Sequence, residues 1–339
     1  MTAFTLDVHL PPDFAARALA RDALEGLTST PKSLPPKWFY DKVGSELFEE
    51  ITRLPEYYPT RAEREILQER AGQIAAASEC DTLLELGSGS SIKTRLLLDA
   101  MRAHAGLRSY VALDVSEDAL RDAGMSLVAD YPDLDVRGLV ADFEHQLDLL
   151  PAGGRRLVAF LGSTIGNFEP PARIAFLRSL RASMAPSDRF LLGADLVKAP
   201  EVLVAAYDDA AGVTAAFNKN VLSVLNHGLG ANFDPAAFDH VAVWDAGNEW
   251  IEMRLRCGSS QSVHVDALDL DVHFDAGEEM RTEISAKFRR HTLERDLTSA
   301  GFTAAGWWTD PAGRFSLSLW QPGGSPVAAW WQPGGMKGQ

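Results

Sequence analysis

Apolar positions along the chain change period several times, and each change marks a part of the molecule. Phe14, Leu19, Leu24 and Leu27 recur at helical spacing, which predicts an amphipathic helix over residues 12–27. Pro31, Pro35 and Pro36 break the chain ahead of Trp38-Phe39-Tyr40, and a short helix is expected from Ser45 to Thr52. Tyr57 and Tyr58 then lie between Pro55 and Pro59, a stiff stretch whose rings either line a pocket or pack on the core. Glu63 to Ala77 reads as a helix. Beyond it, apolar runs at Thr82–Leu86, Tyr110–Leu113, Leu134–Val140, Leu157–Leu161 and Phe190–Ala194 alternate with helical patterns starting near Ser91, at Glu117 and at Pro171. Apolar strands separated by helices predict a parallel sheet covered on both faces.

After residue 200 the texture changes. Glu201 to Asn226 reads as one Ala-rich helix whose Phe217–Asn220 end suits a lid. Val241–Trp244, Trp250–Arg256, Ser262–Leu268 and Val272–Phe274 alternate as antiparallel strands, too many and too late for the parallel sheet, so an inserted subdomain over the site is expected. A helix at 290–300 and a hairpin of Phe302–Thr309 with Phe315–Trp320 close the pattern. The Gly/Pro-rich tail from Gln321 is expected to be poorly ordered. This gives five stretches: an N-terminal helical segment (1–60), a core (61–200), a subdomain (201–288), a C-terminal return to the core (289–320) and the tail (321–339).

Charge and cysteine content narrow the chemistry. The 339 residues carry a formal net charge of −15, which argues against a nucleic-acid surface, where phosphates demand a basic face. Cys80 and Cys257 are far apart and have no metal or redox spacing, and no metal site is expected from the scattered histidines. No apolar run reaches the roughly 18–20 residues of a membrane helix. Met1–Leu10 lacks the form of a signal peptide. A cytoplasmic monomer is the expectation.

The chemistry centres on Thr82 to Arg95. Gly87 and Gly89 form a turn after the first sheet strand, with Ser90 or Ser91 as a cap for the next helix. A dinucleotide turn would place glycine where Ile92 stands. Glu85-x-Gly87-x-Gly89 suits S-adenosylmethionine (SAM) better, because that ligand has no pyrophosphate and ends in an amino acid whose carboxylate a lysine such as Lys93 would suit. Asp114 ends the second strand, where an acid accepts from ribose hydroxyls; the alternative is a helix cap, a task Ser116 can take instead. Asp142-Phe143 can bind an adenine amino group and cover its ring, or be a loop acid beside a core ring. Gly162–Phe168, with Asn167, follows the fourth strand, where substrate should meet cofactor. Further on, alternation places Glu283 and Ser285 on one strand face, a carboxylate and a hydroxyl able to hold a small ring with two hydrogen-bonding ends.

These motifs, with Pro31–Asp41, Ile51–Arg61, Leu84–Gly89, Phe160–Asn167, Tyr207–Asn218 and Trp307–Gly313, resemble the histidine-specific SAM-dependent methyltransferase family from about Leu19 to Leu319. The resemblance implies an α/β, Rossmann-like class I SAM-dependent methyltransferase fold with an inserted α+β substrate-binding subdomain. It implies SAM as methyl donor and L-histidine with its mono- and dimethylated forms as substrates, trimethylated at the α-amine to hercynine, the first step of ergothioneine biosynthesis. Relatives that methylate tryptophan-type amines leave another aromatic amino acid as the alternative. On the cofactor side the family's residues fall on Tyr57, Gly87, Lys93, Asp114, Asp142 and Phe143. On the substrate side they fall on Tyr57, Gly162, Asn167, Tyr207, Glu283 and Ser285. Tyr57 and Tyr40 are the residues implied in catalysis.

Overall fold

In the computed structural model, residues 4–89, 93–104 and 106–323 are described. The chain order is β1 (Thr5–Val8), α1 (Phe14–Thr28), α2 (Lys42–Ile51), α3 (Pro59–Ser78), β2 (Thr82–Leu86), α4 (Thr94–His104), β3 (Ser109–Asp114) and α5 (Glu117–Asp130). Then come β4 (Asp135–Val140), β5 (Arg156–Phe160), α6 (Pro170–Ala182), β6 (Arg189–Asp195), α7 (Pro200–Tyr207) and α8 (Val213–Leu229). The chain finishes with β7 (Phe238–Asp245), β8 (Trp250–Cys257), β9 (Gln261–Val265), β10 (Leu270–Phe274), β11 (Glu279–Ala286), α9 (Arg290–Ser299), β12 (Phe302–Thr309) and β13 (Phe315–Pro322).

The main sheet runs β1-β4-β3-β2-β5-β6-β13-β12. Its strands pair in parallel from β1 to β6, and β13 enters antiparallel between β6 and β12. Strand order reverses at β2, which has β3 on one side and β5 on the other. This switch point opens a crevice beyond the carboxyl ends of β2 and β5, the usual ligand position in such sheets. One apolar cluster on the sheet holds Leu84, Phe160, Phe176 and Leu192; another holds Leu67, Leu83, Leu98 and Leu191. Alternate residues of β2 and β6 therefore feed opposite faces.

A second core lies beside the sheet. It joins Leu19, Leu27, Phe39 and Tyr58 to Phe217, Val221, Ile251, Met253 and Phe274. The N-terminal helices thus pack into the late insertion, whose strands form a three-stranded sheet β11-β8-β7 and a two-stranded sheet β10-β9.

Several expectations change. The N-terminal segment is not solely helical, since β1 extends the main sheet along β4. The stretch 201–226 is two helices, because the chain turns through Asp208–Gly212, and Gly212 adopts φ 74°. Phe217, Asn218 and Asn220 are buried inside α8 and form no lid. Leu24 is exposed despite its helical spacing. The last strand runs on through Gln321 to Pro322. Helix α4 begins at Thr94, and the proposed caps Ser90 and Ser91, with Ile92, lie outside the described residues, as does the tail from residue 324. Both cysteines are free and buried. Among the described residues no helix is long and apolar enough to cross a membrane, and no group of three or more His, Cys, Asp or Glu is placed to hold a metal ion.

Candidate active site

The turn after β2 is shaped for a ligand. Gly87 and Gly89 take φ of 68° and 48°, angles that strain any residue with a Cβ. The Gly87 N–H donates to Leu113 O (2.8 Å), which ties the turn to the end of β3. Asp114, at that end, accepts from the N–H of Gly89 (3.3 Å) and of Ser116 (3.0 Å). The cap of α5 is Ser116, whose Oγ accepts from the Ala119 N–H, so Asp114 is spared that task. Burial raises the Asp114 carboxyl, and the N–H groups of Ser116, Gly89 and Val115 pull it back. Phe143 lies opposite the turn: a Cβ on Gly87 would stand 3.7 Å from its ring. Its other side packs on Phe160 and Phe176. Asp142 bonds its own loop, accepting from the Glu144 N–H (2.8 Å) and pairing with His145 Nδ1 (2.9 Å).

The residues present fit SAM. Ser88 Oγ in the same turn is buried and has no hydrogen-bond partner among the described residues, so a polar ligand group would find a hydroxyl there. Lys93 is at the turn too, but its ammonium is paired with Glu63, a fully buried residue of α3. The other Glu63 oxygen accepts from the Gly162 N–H (2.8 Å). One carboxylate thus joins the cofactor turn to the loop after β5, a residue that carries no motif and that sequence reasoning did not find.

That loop runs through Gly162 (φ 75°) and Ser163 (φ 60°) into a 3-10 turn, Thr164–Asn167. At Gly166 a Cβ would lie 2.8 Å from Ala286 O and 3.1 Å from Ala286 N, so glycine is what lets the loop press on β11. Asn167 Nδ2 then donates to Glu283 Oε1 (3.2 Å). Burial pushes the Glu283 carboxyl up to about 7, with Lys287 and Asn167 opposing. Part of Glu283 faces a cleft of about 340 Å³ bordered by Asp22, Ser33, Asn167 and Arg281, so water offsets some of that burial.

Two residues along β11, Ser285 shares a 2.7 Å hydrogen bond with Tyr207 Oη. Both accept from Lys287 Nζ at 2.8 Å. Behind them Asp195, at the end of β6, meets Lys287 (3.0 Å), Lys198 (2.6 Å) and the Tyr58 hydroxyl (2.7 Å). Sequence reasoning missed Lys287, although Lys287 continues the alternation of Glu283 and Ser285.

Aromatic rings close the site. Tyr57 packs edge-on against Phe48 and Tyr207. Tyr40 packs on Phe48 and Phe217, and nearly half of it (45%) is exposed. Burial raises the phenols of Tyr57 and Tyr207; neighbours including Glu283 add to the rise, while Lys287 lowers Tyr207. Both therefore stay protonated near neutral pH.

A crevice at the switch point, a glycine turn facing Phe143 and an acid at the end of β3 define a class I methyltransferase. The family model for the histidine-specific, SAM-dependent methyltransferases matches residues 19–322, and the chain belongs to that family. It is 57% identical over 311 residues to the histidine N-alpha-methyltransferase of Mycolicibacterium smegmatis, covering 92% of this chain and 97% of that one. It is 55% identical over the same length and shares to the histidine N-alpha-methyltransferase of Mycobacterium tuberculosis. It is 34% identical over 224 residues to ergothioneine biosynthesis protein 1 of Schizosaccharomyces pombe, covering 62% of this chain and 29% of that one.

Proposed function

We propose that this chain methylates the α-amine of L-histidine three times with SAM, giving hercynine as the first step of ergothioneine biosynthesis. The observation that carries the reading is the pairing of Glu283 with Asn167, which sets an acidic ring-binding face against the loop that borders the cofactor turn. The two relatives above 50% identity bear the name of the same reaction.

When bound, SAM supplies an electrophilic methyl group. Gly87, Ser88, Asp114, Asp142 and Phe143 would hold it, with Tyr57 at its edge and Lys93 at the turn. Asn167 and Tyr207 are assigned to the substrate carboxylate, and Glu283 and Ser285 to the imidazole, with Gly162 lining the approach. The amine must be neutral to attack, and enclosure by Tyr40 and Tyr57 favours loss of its proton. The same rings can stabilise the growing methylammonium by cation–π contact. Most of the acceleration comes from fixing the amine in line with the transferred group.

The test is mass spectrometry of purified protein with SAM and an equimolar pool of the twenty amino acids. A gain of three methyls on histidine alone is expected. Methylation of tryptophan instead would overturn the roles given to Glu283 and Ser285, and absence of any product would overturn the enzymatic reading.

A further inference from the structure

Lys287 has no part in the reading above, yet it stands directly behind the ring-binding face. Its side chain is fully buried. An ammonium has three protons to donate, and here three acceptors receive them: Tyr207 Oη, Ser285 Oγ and Asp195 Oδ2, at 2.8, 2.8 and 3.0 Å. Burial works against the charge, but the hydrogen bond to Tyr207 and the Asp195 carboxylate outweigh it and hold the group protonated.

The proton count behind Ser285 then has a consequence. The two hydroxyls own one proton each, and one of the two is consumed in the 2.7 Å bond between them. Lys287 occupies an acceptor position on both oxygens. The ammonium stands 2.8 Å from both oxygens and turns both hydrogens away alike, so the choice of donor falls to the more acidic hydroxyl, the Tyr207 phenol, and the Ser285 hydrogen is left to point into the site. Tyr207 then donates to Ser285, and Ser285 has no lone pair left for a ligand N–H. Across the face, Glu283 offers an acceptor.

We propose that Lys287 is a specificity-determining positioning residue: by fixing Ser285 as a donor, it makes the site demand a neutral ring with one N–H for Glu283 and one bare nitrogen for Ser285. The inference rests on histidine being the substrate. Neutral imidazole meets the demand. An imidazolium brings a second N–H and a like charge toward the ammonium. An indole or pyrrole has no bare nitrogen and leaves a buried donor unpaired, which is costly.

The first experiment needs no variant. L-Histidine labelled with nitrogen-15 in the ring is bound to the full chain with S-adenosylhomocysteine, and the two ring nitrogens are read by NMR. One pyrrole-type and one pyridine-type signal are expected. Two protonated nitrogens would overturn the proposal while leaving the substrate intact; a wild-type protein that neither binds nor methylates histidine would remove the proposal together with the function it rests on. The second experiment compares L-histidine with β-(pyrrol-2-yl)-L-alanine, which keeps the N–H and lacks the bare nitrogen. Wild type should prefer histidine in KM by roughly tenfold or more. Lys287→Met should shrink that ratio toward one, with affinity for S-adenosylhomocysteine held within about twofold. A folded Lys287→Met that keeps the wild-type ratio would defeat the assignment, and the NMR result decides it if that variant does not fold.

Discussion

Tyr57 and Tyr58 are neighbours in sequence and opposite in role. Tyr58 is buried, with its hydroxyl on Asp195, whereas Tyr57 turns its ring to Phe48 and Tyr207 at the site. Core packing holds for Tyr58, while Tyr57, partly buried on the same core, is the residue assigned to the pocket in the proposed function. Side-chain direction decides such questions, and the Glu283–Asn167 bond invites a direct test. Glu283→Ala should weaken histidine binding by roughly tenfold or more while leaving SAM binding nearly unchanged, as read by calorimetry. Equal losses for both ligands would remove the assignment. Because Glu283 sits near pH 7, lowering the pH through that value protonates it, which removes its charge and leaves a weaker acceptor. The KM for histidine should therefore rise below about pH 7, and Glu283→Gln should flatten that rise. Glu85 offers a stability counterpart. Burial pushes its carboxyl up from the ordinary 4.5 to about 7, while Tyr110 and Thr94 donate to it and pull it back. Between those two pH values the folded state binds more protons than the unfolded one, so stability is greatest below 4.5 for this group and falls as pH rises to 7. Denaturant titrations across this window should show Glu85→Gln losing less stability than wild type, by about 3 kcal/mol at most.

Among the elements, the loop after β5 and the strand β11 make the site together, and neither suffices alone. Gly166 permits their contact, since a Cβ would stand 2.8 Å from the Ala286 carbonyl oxygen. Gly166→Ala should shift Asn167 away from Glu283 and cut kcat/KM for histidine by roughly tenfold or more, because small misplacements at a reacting site are costly. Affinity for S-adenosylhomocysteine should change little; a comparable loss there would mean that the loop serves the cofactor turn more than the substrate. Strand periods were legible in the sequence because buried parallel strands are uniformly apolar and the late strands alternate. The break between α7 and α8 was not, since Ala210 and Ala211 suit a helix and within Asp208–Gly212 Gly212 alone enters the left-handed region. Strand β1 escaped notice because an edge strand of four residues carries little pattern.

For the molecule as a whole, Asp195 joins the two cores. It ends β6 of the main sheet and holds Lys287 from beyond β11, Lys198 from the loop after β6 and Tyr58 from the start of α3. Removing it would leave buried ammonium groups uncompensated, so Asp195→Ala should cost about 3–5 kcal/mol, read as a lowered midpoint in thermal or denaturant unfolding. An unchanged midpoint would show that the two cores hold together without this hub. By itself the sequence determined the alternation of strands and helices, the glycine turn, the acids at strand ends and the pairing of Glu283 with Ser285 on one face, because each follows from local spacing and backbone preference. Only the tertiary structure decided that Lys93 faces Glu63, that Ser116 frees Asp114 from capping, that the N-terminal helices complete the inserted subdomain and that Lys287 stands behind Ser285. Those outcomes depend on which buried charges find partners across segments far apart in sequence, and no local pattern encodes that choice.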